Sequence, residues 1–290
     1  MRVADSPAGL GSGRRAVAIG TFDGVHLGHR RVLAEASASG LPTAVVTFDP
    51  HPRAVVSGEP VVLLTTLARR LELLAELGAD EALVLRFDGA LAGLAPEAFA
   101  ERVLLGLGAE VVVAGEAFRF GRGRAGDLAL LGRLGFEVRP VAQLAGVSSS
   151  AIRAHVLAGE VERAAALLGR PFELEGTVVP GHARGRALGF PTANVALAPG
   201  LAVPARGIYA GAAAGHRAAV SVGVNPHFGG RELRVEAFLL DFDGDLYGRR
   251  LLVELWRRLR GERAFADEAE LRAQIARDVR AARAAVRPSG

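Results

Sequence analysis

Short apolar runs rich in β-branched residues alternate with longer stretches of helical period through the first half of the chain. Residues 16–20, 43–48, 81–87, 110–114 and 137–141 predict strands. Residues 29–38, 66–77, 96–105 and 127–134 predict the helices between them, with Pro96 suited to a first turn and Gly78 to a helix end. This alternation implies an α/β domain, a doubly wound parallel sheet wrapped by helices. Two short helices follow at 149–157 and 161–168, and Gly169-Arg170-Pro171 is read as the domain boundary, giving 1–169 and 170–290. Beyond it the pattern shifts to short apolar runs punctuated by Gly and Pro, at 172–179, 207–213, 217–224, 233–242 and 246–253. These predict a small antiparallel β-barrel. The last periodic stretch, 268–286, predicts a helix whose stripe of Leu271, Ile275, Val279 and Ala282 would pack on that barrel.

The 290 residues are half hydrophobic, enough for two cores, and the length prior also suggests two domains. Charged residues make up 23%, and no apolar run approaches the roughly 18 residues of a membrane span. With no signal-like apolar stretch in the first thirteen residues, a soluble cytoplasmic protein without a membrane partner is expected. Cysteine is absent, which removes disulfides, thiolate nucleophiles and thiolate-held metals. Lysine is absent too, which excludes a lysine Schiff base and the lysine-bearing P-loop. The sequence pI of about 10.6 overstates basicity, because the formal charge is only +4 and little titrates between His and Arg. Acids interleave with the bases, as in Arg69-Arg70-Leu71-Glu72, so these stretches read as solvated helix faces and no nucleic-acid partner is expected.

Ligands of open parallel sheets bind outside the carboxyl ends of the strands. Four unusual segments fall there: Gly20-Thr21-Phe22-Asp23-Gly24-Val25-His26-Leu27-Gly28-His29, Thr47-Phe48-Asp49-Pro50-His51-Pro52, residues 115–126, and Ser148-Ser149-Ser150-Ala151-Ile152-Arg153. His26 and His29, three apart at a helix start, can face one polyphosphate and donate hydrogen bonds to its oxygens. A surface histidine pair or a loose metal site is the plainer reading of such a pair alone. Ser148, Ser149 and Arg153 could clamp phosphate, or the serines could simply cap a helix. His51 could equally shape a rigid loop between two prolines.

In the second half, residues 176–194 carry glycines that let a loop wrap polyphosphate through backbone amides. Thr192 and Asn194 add a hydroxyl and a carbonyl suited to Mg-ATP. Glu236 heads an apolar strand and could serve as general base toward a substrate hydroxyl, although an exposed strand-end glutamate is the plainer alternative. Asp243-Gly244 reads as a hairpin turn rather than a calcium loop.

These segments also carry a family resemblance. G-T-F-D-G-V-H-L-G-H, T-F-D-P-H-P, F-D-G-A-L-A-G-L-A-P-E-A-F at 87–99, G-E-A-F-R-F-G and V-S-S-S-A-I-R occur in the order of the adenylyltransferase half of bacterial bifunctional riboflavin kinase/FMN adenylyltransferases. The run G-T-V-V-P-G-H-A-R-G-R-A-L-G-F-P-T-A-N, then G-I-Y-A-G, S-V-G-V-N-P-H-F-G-G and V-E-A-F-L-L-D-F-D-G-D-L-Y-G, resembles the riboflavin kinase half. The resemblance implies a Rossmann-like nucleotidyltransferase domain followed by a six-stranded barrel with a C-terminal helix. It implies that Gly20, Thr21, Phe22, Asp23, Gly24, His26, Gly28, His29, Ser148, Ser149 and Arg153 serve ATP, with His26, His29 and Arg153 catalytic. Pro50, His51, Pro52, Phe118, Phe120 and Gly121 would hold the flavin. In the kinase half Gly181, Arg184, Gly185, Gly189 and Pro191 would shape the nucleotide loop, Thr192 and Asn194 would hold Mg2+ with ATP, and Glu236 would activate the ribityl hydroxyl. The implied substrates are riboflavin, FMN and ATP, and the products FMN, FAD, ADP and pyrophosphate. Two positions depart from the family pattern. Ala117 stands where Asp or Asn is usual, and His227 where Thr is usual. An active kinase with an adenylyltransferase impaired by Ala117, and a non-catalytic flavin- or nucleic-acid-binding module, are the alternatives.

Overall fold

The computed structural model describes residues 1–181, 185, 189–224 and 233–289. The chain forms two compact units, one of Met1–Val62 with Leu67–Ser148 and the other of Leu63–Thr66 with Ser149–Gly290.

The first unit holds six parallel strands: β1 (Arg2–Ala4), β2 (Arg15–Ile19), β3 (Thr43–Asp49), β4 (Glu81–Arg86), β5 (Ala109–Gly115) and β6 (Glu137–Val141), in the order β1-β4-β3-β2-β5-β6. Its helices are α1 (Leu27–Ser37), α2 (Pro52–Ser57), α3 (Leu67–Glu76), α4 (Gly89–Ala92), α5 (Pro96–Phe99, continued by a π turn over Ala100–Leu105) and α6 (Leu128–Arg133). Side chains alternate between two apolar layers. Ala16, Ala18, Val45, Val111 and Val113 pack with Val32, Leu33, Leu73 and Leu74 on one face. Val17, Ile19, Val46, Leu83 and Val112 pack with Phe99, Val103 and Leu104 on the other. Burial on both faces is what a doubly wound sheet requires. The edge strand β1 and the short helices α2 and α4 lie outside the predicted elements.

In the second unit, α7 (Ser149–Leu157) and α8 (Val161–Leu168) precede β7 (Phe172–Val179), β8 (Ala193–Leu197), β9 (Gly207–Ala213), β10 (His216–Val224), β11 (Leu233–Leu239) and β12 (Arg250–Arg260). The strands close a barrel in the order β10-β11-β8-β7-β12-β9, every pair antiparallel. Leu174, Val220, Val222, Val235, Ala237, Val253 and Leu255 fill its core together with Ile152, Val156, Val161 and Leu168. That shared burial is why α7 and α8 belong to the barrel unit, so the units divide after Ser148, upstream of the expected junction at 169/170. The second unit also recruits Leu63–Thr66. Leu63 bridges Leu201, and Leu64 is 2% exposed within the barrel's apolar cluster.

Strand β12 begins later and runs further than the expected 246–253. The final helix, α9 (Glu268–Ala284), is capped by the Asp267 carboxylate, which accepts from the Glu270 N–H. Its most buried positions are Asp278 and Ala282, while Leu271, Ile275 and Val279 of the expected stripe are only half-buried. Asp278 is accommodated there because it accepts from Arg260 at 2.7 Å (Nη2) and from Gln274 at 2.8 Å. Among the described residues no helix is long and apolar enough to cross a membrane.

Candidate functional site

The strand order fixes where the first unit can hold a ligand. From β2 the chain winds outward through β3 and β4, then returns to β5 and β6 on the opposite side. Loops leaving β2 and β5 therefore part at the reversal, and the crevice between them is the favoured binding position.

The β2–α1 loop is strained and tightly held. Phe22 and Val25 take positive φ (52° and 42°) although neither is glycine, Gly24 lies at 81°, and Asp23 is fully buried. Thr47 Oγ1 donates to Thr21 O at 3.1 Å. The loop ends in a reciprocal cap. His26 Nδ1 accepts from the His29 N–H, and His29 Nδ1 accepts from the His26 N–H, both at 3.3 Å. The two rings stack with centroids 3.6 Å apart and an interplanar angle of 16°. A Cβ on Gly28 would lie 3.1 Å from His26 Cε1, so the glycine of H-x-G-H permits this approach. Burial holds His29 well below the usual imidazole value, and His26 and Arg70 push it further in that direction. Because Nδ1 is an acceptor, the proton of the neutral His29 ring resides on Nε2. That Nε2–H sits at the amino end of an eleven-residue helix, where the dipole favours an anion.

The loop after β3 contains a cis peptide at Asp49–Pro50. His51 caps α2, its Nδ1 accepting from the Arg53 N–H at 3.1 Å, so one ring nitrogen is committed to the backbone. In the loop after β5, Phe120 is buried against Phe99, and Phe118 stacks on it at 5.6 Å and 14°. Phe118 is only part-buried and Ala117 is exposed. Phe118 thus presents apolar surface, and Phe120 supports it from the core. Gly121 (φ 72°) is obligatory, since a Cβ would come within 2.7 Å of Pro96. Ser148 is the last residue of the first unit, whereas Ser149 and Arg153 lie in the opening turns of α7.

One residue near the histidines has no counterpart among the sequence-based candidates. Arg70 is 1% exposed, on the inward face of α3 with Leu73 and Leu74. The expected solvated face is corrected for both arginines: Arg70 is buried, and Arg69, paired with Glu72 and Glu76, keeps only 12% of its side chain exposed. The signal was in the phase: positions 70, 73 and 74 follow the i, i+3, i+4 stripe of a buried helix side.

In the barrel, Glu236 of β11 stands directly opposite Asn194 of β8, so both side chains project on one face. Thr192 Oγ1 donates to Glu236 Oε2 at 3.3 Å, and the Arg234 guanidinium lies 3.9 Å from the same carboxylate. Phe190 packs edge-on against Phe238, two residues along from Glu236, at 5.5 Å. This contact seats the Phe190-Pro191-Thr192 turn beside the carboxylate. Gly181 makes room for the Asn194 amide, because a Cβ there would fall 2.1 to 2.6 Å from its terminal atoms. Gly185 likewise faces the Phe190 carbonyl at 2.4 Å from a built Cβ, while Gly189 takes φ 85°. Arg184 and His227 lie outside the described residues.

Among the described residues no group of three or more His, Asp or Glu side chains could hold a metal by itself. The Thr192 hydroxyl, Asn194 carbonyl and Glu236 carboxylate form a sparse oxygen set. Such a set fits Mg2+, which keeps several waters and takes further ligands from substrate phosphates.

Comparison with known proteins bears on each half of the chain. The FAD synthetase family model matches residues 12–152, and the riboflavin kinase family model matches residues 168–286. The bifunctional riboflavin kinase/FMN adenylyltransferase of Listeria monocytogenes is 37% identical over 93% of this chain and 92% of that protein. Those of Bacillus subtilis and Escherichia coli K12 are 35% and 37% identical, covering 90% and 91% of this chain and 89% and 90% of theirs. A solved structure described as a macrolide-efflux protein from Streptococcus pneumoniae superposes with a TM-score of 0.89 at 30% identity, over 98% of this chain and 99% of that one. Full-length relatives with that paired name, and one family model on each half, leave a single assignment: the chain belongs to the bifunctional riboflavin kinase/FMN adenylyltransferase family.

Proposed function

We propose that the barrel half transfers the γ-phosphoryl group of ATP to riboflavin, and that the parallel-sheet half joins the resulting FMN to AMP from a second ATP. The first reaction yields FMN and ADP, the second FAD and pyrophosphate. The two family matches support this division of labour. The alternatives of a kinase whose adenylyltransferase half is impaired by Ala117, or of a non-catalytic flavin- or nucleic-acid-binding module, are disfavoured by relatives that carry both activities in their name along nearly the whole chain. A cytoplasmic location is part of the same reading.

In the kinase half, Glu236 takes the proton of the ribityl 5′-hydroxyl as its oxygen attacks the γ-phosphorus, and ADP leaves. Thr192 orients the carboxylate through the hydrogen bond already in place, and Asn194 shares its face. Thr192 and Asn194 would hold Mg2+ with ATP, and the cation would offset charge on the phosphate oxygens. Gly181, Gly185, Gly189 and Pro191 shape the loop; Arg184 is assigned to the nucleotide by motif.

In the adenylyltransferase half, the FMN phosphate is already an anion, so no general base is needed for its oxygen to attack the α-phosphorus. The protein's task is to steady charge that moves onto the departing pyrophosphate. His26 and His29 donate from Nε2 at the helix start, and Gly20, Thr21, Phe22, Asp23, Gly24 and Gly28 set the loop around them. Ser148, Ser149 and Arg153 are assigned to the same ATP by motif. Phe118, backed by Phe120 and Gly121, offers a face for the isoalloxazine, with Pro50, His51 and Pro52 shaping the neighbouring loop.

The observation that carries the reading is the reciprocal His26–His29 cap at the reversal of strand order. Chromatography of flavins after incubation with riboflavin, ATP and Mg2+ tests it. His29→Ala is expected to stop at FMN, and Glu236→Ala to make no FMN yet convert supplied FMN to FAD. Unchanged products in both variants would remove the assignment.

A further inference from the structure

A buried arginine ordinarily lies against a carboxylate, because an uncompensated charge in the interior is costly. Arg70 does not. Its hydrogen bond to described residues is from Nη1 to the Phe48 carbonyl at the end of β3, 3.2 Å away, and its Nε is buried without an acceptor. Asp23 and Asp49 act on it as nearby charges, partly offsetting the burial that lowers its own pKa, but no carboxylate forms an ion pair with it among the described residues. The helical phase of α3 holds it there, since Leu73 and Leu74 on the same face are locked into the apolar layer that contains Phe22 and Val25.

This guanidinium is hydrogen-bonded to the end of β3, and it lies within electrostatic reach of Asp23 in the β2–α1 loop and of the His29 ring. We propose that Arg70 is a positioning residue for adenylyl transfer, a fixed cation anchored on β3 that keeps His29 locked in its reciprocal cap. The inference rests on the reading that the histidine pair serves ATP.

The physical reason lies in the cap. A proton on His29 Nδ1 would turn the acceptor of the His26 N–H into a second donor and open one of the two cap bonds. A neighbouring permanent cation opposes that proton, and arginine is the side chain that keeps its charge when buried. The groups acting on the ring are His26, stacked on it, and the charge of Arg70, with Phe22 edge-on at 5.1 Å. Burial contributes most, and Arg70 adds to it in the same direction.

The test uses the full chain with Arg70→Gln, which can still donate to the Phe48 carbonyl but carries no charge, and Arg70→Lys, which keeps the charge without the fork. FAD formation from FMN is followed from about pH 5.5 to 8.5 alongside imidazole 15N shifts, with FMN formation from riboflavin as the folding control. R70Q is expected to lower kcat for FAD by about tenfold or more with a smaller change in KM for ATP, and to move the acid limb and the His29 titration upward. R70K is expected to leave both pH midpoints near the wild-type values. An unmoved limb and unmoved His29 shifts in R70Q overturn the proposal, as does an R70K limb displaced as far as that of R70Q. Should R70Q lose FMN formation and so reveal misfolding, R70K decides by the same criterion. His29→Asn separates the two levels. If it spares FAD formation the histidine reading itself fails, and if it abolishes FAD formation while R70Q is silent only the role of Arg70 falls.

Discussion

His29 couples protonation to backbone geometry, so acid should distinguish the two activities. Its folded pKa is depressed below the unfolded value of about 6.5. Between those values the unfolded chain binds the extra proton, so the ring's contribution to stability is complete above about pH 6.5 and is lost as pH falls through the depressed folded value. Initial rates at stepped pH are expected to show FAD formation from FMN failing on the acid side before FMN formation from riboflavin does. Parallel decline of both would contradict this. A second expectation concerns Gly181, whose missing Cβ leaves the space taken by the Asn194 amide. Gly181→Ala should cut kinase kcat by about tenfold or more through displacement of Asn194, with FAD formation from FMN unaffected in the same assay. The histidine pair, Thr192, Asn194 and Glu236 were legible in the sequence because their chemistry is concentrated at fixed spacings. Arg70 was not, because a hydrophobic-polar pattern scores every arginine as outside, whatever the phase of the helix around it. His51 and Phe120 show the opposite limit. Their motifs marked whole loops, and only the structure separates a helix cap and a core anchor from a group that presents surface.

Elements followed the sequence pattern where one period ran unbroken. Helices α7 and α8 and strands β6, β7 and β9 have the expected limits, since each has a clean apolar phase between turn residues. Strand β12 does not. It pairs with β7 through Arg250–Leu255 and with β9 as far as Arg260, and two register shifts around Trp256 and Leu259 break the period-2 alternation that would have revealed its length. The three-residue edge strand β1 is too short for any alternation to register. Helix α9 shows how a charge can occupy an inward position. Asp278 is buried and satisfied by Arg260 and Gln274, so an apolar stripe alone misplaces the helix's contact face. Asp278→Ala strands a mostly buried guanidinium and should destabilise the barrel unit by about 3 kcal/mol in urea unfolding. The double variant with Arg260→Met should recover part of that loss. Equal midpoints for the single and double variants would show that the pair is not what seats the helix.

At the level of the whole molecule, the apolar pattern carried the architecture in its order along the chain, a parallel α/β unit followed by a closed antiparallel barrel. It could not show that the barrel unit draws four residues from far upstream. The expected helix begins at Thr66 and residues 63–65 carry no predicted element, yet Leu63 exchanges backbone hydrogen bonds at 2.7 Å with Gly200 and Ala202, Thr66 bonds Glu175, and Leu64 is buried in the barrel's apolar cluster. Such non-local insertion leaves no periodic trace. Leu64→Ala should therefore lower the unfolding free energy of the kinase unit by about 2–4 kcal/mol, read as an earlier loss of FMN formation on heating. A kinase midpoint equal to wild type would contradict that packing. The same four residues bear on how this chain could ever be divided. A protease nick or a gene fission between the two activities, wherever it falls after Thr66, hands the downstream product a barrel that is one core side chain and one backbone bridge short. Independence for the kinase would require the orphaned stretch to be supplied again, in trans or by duplication.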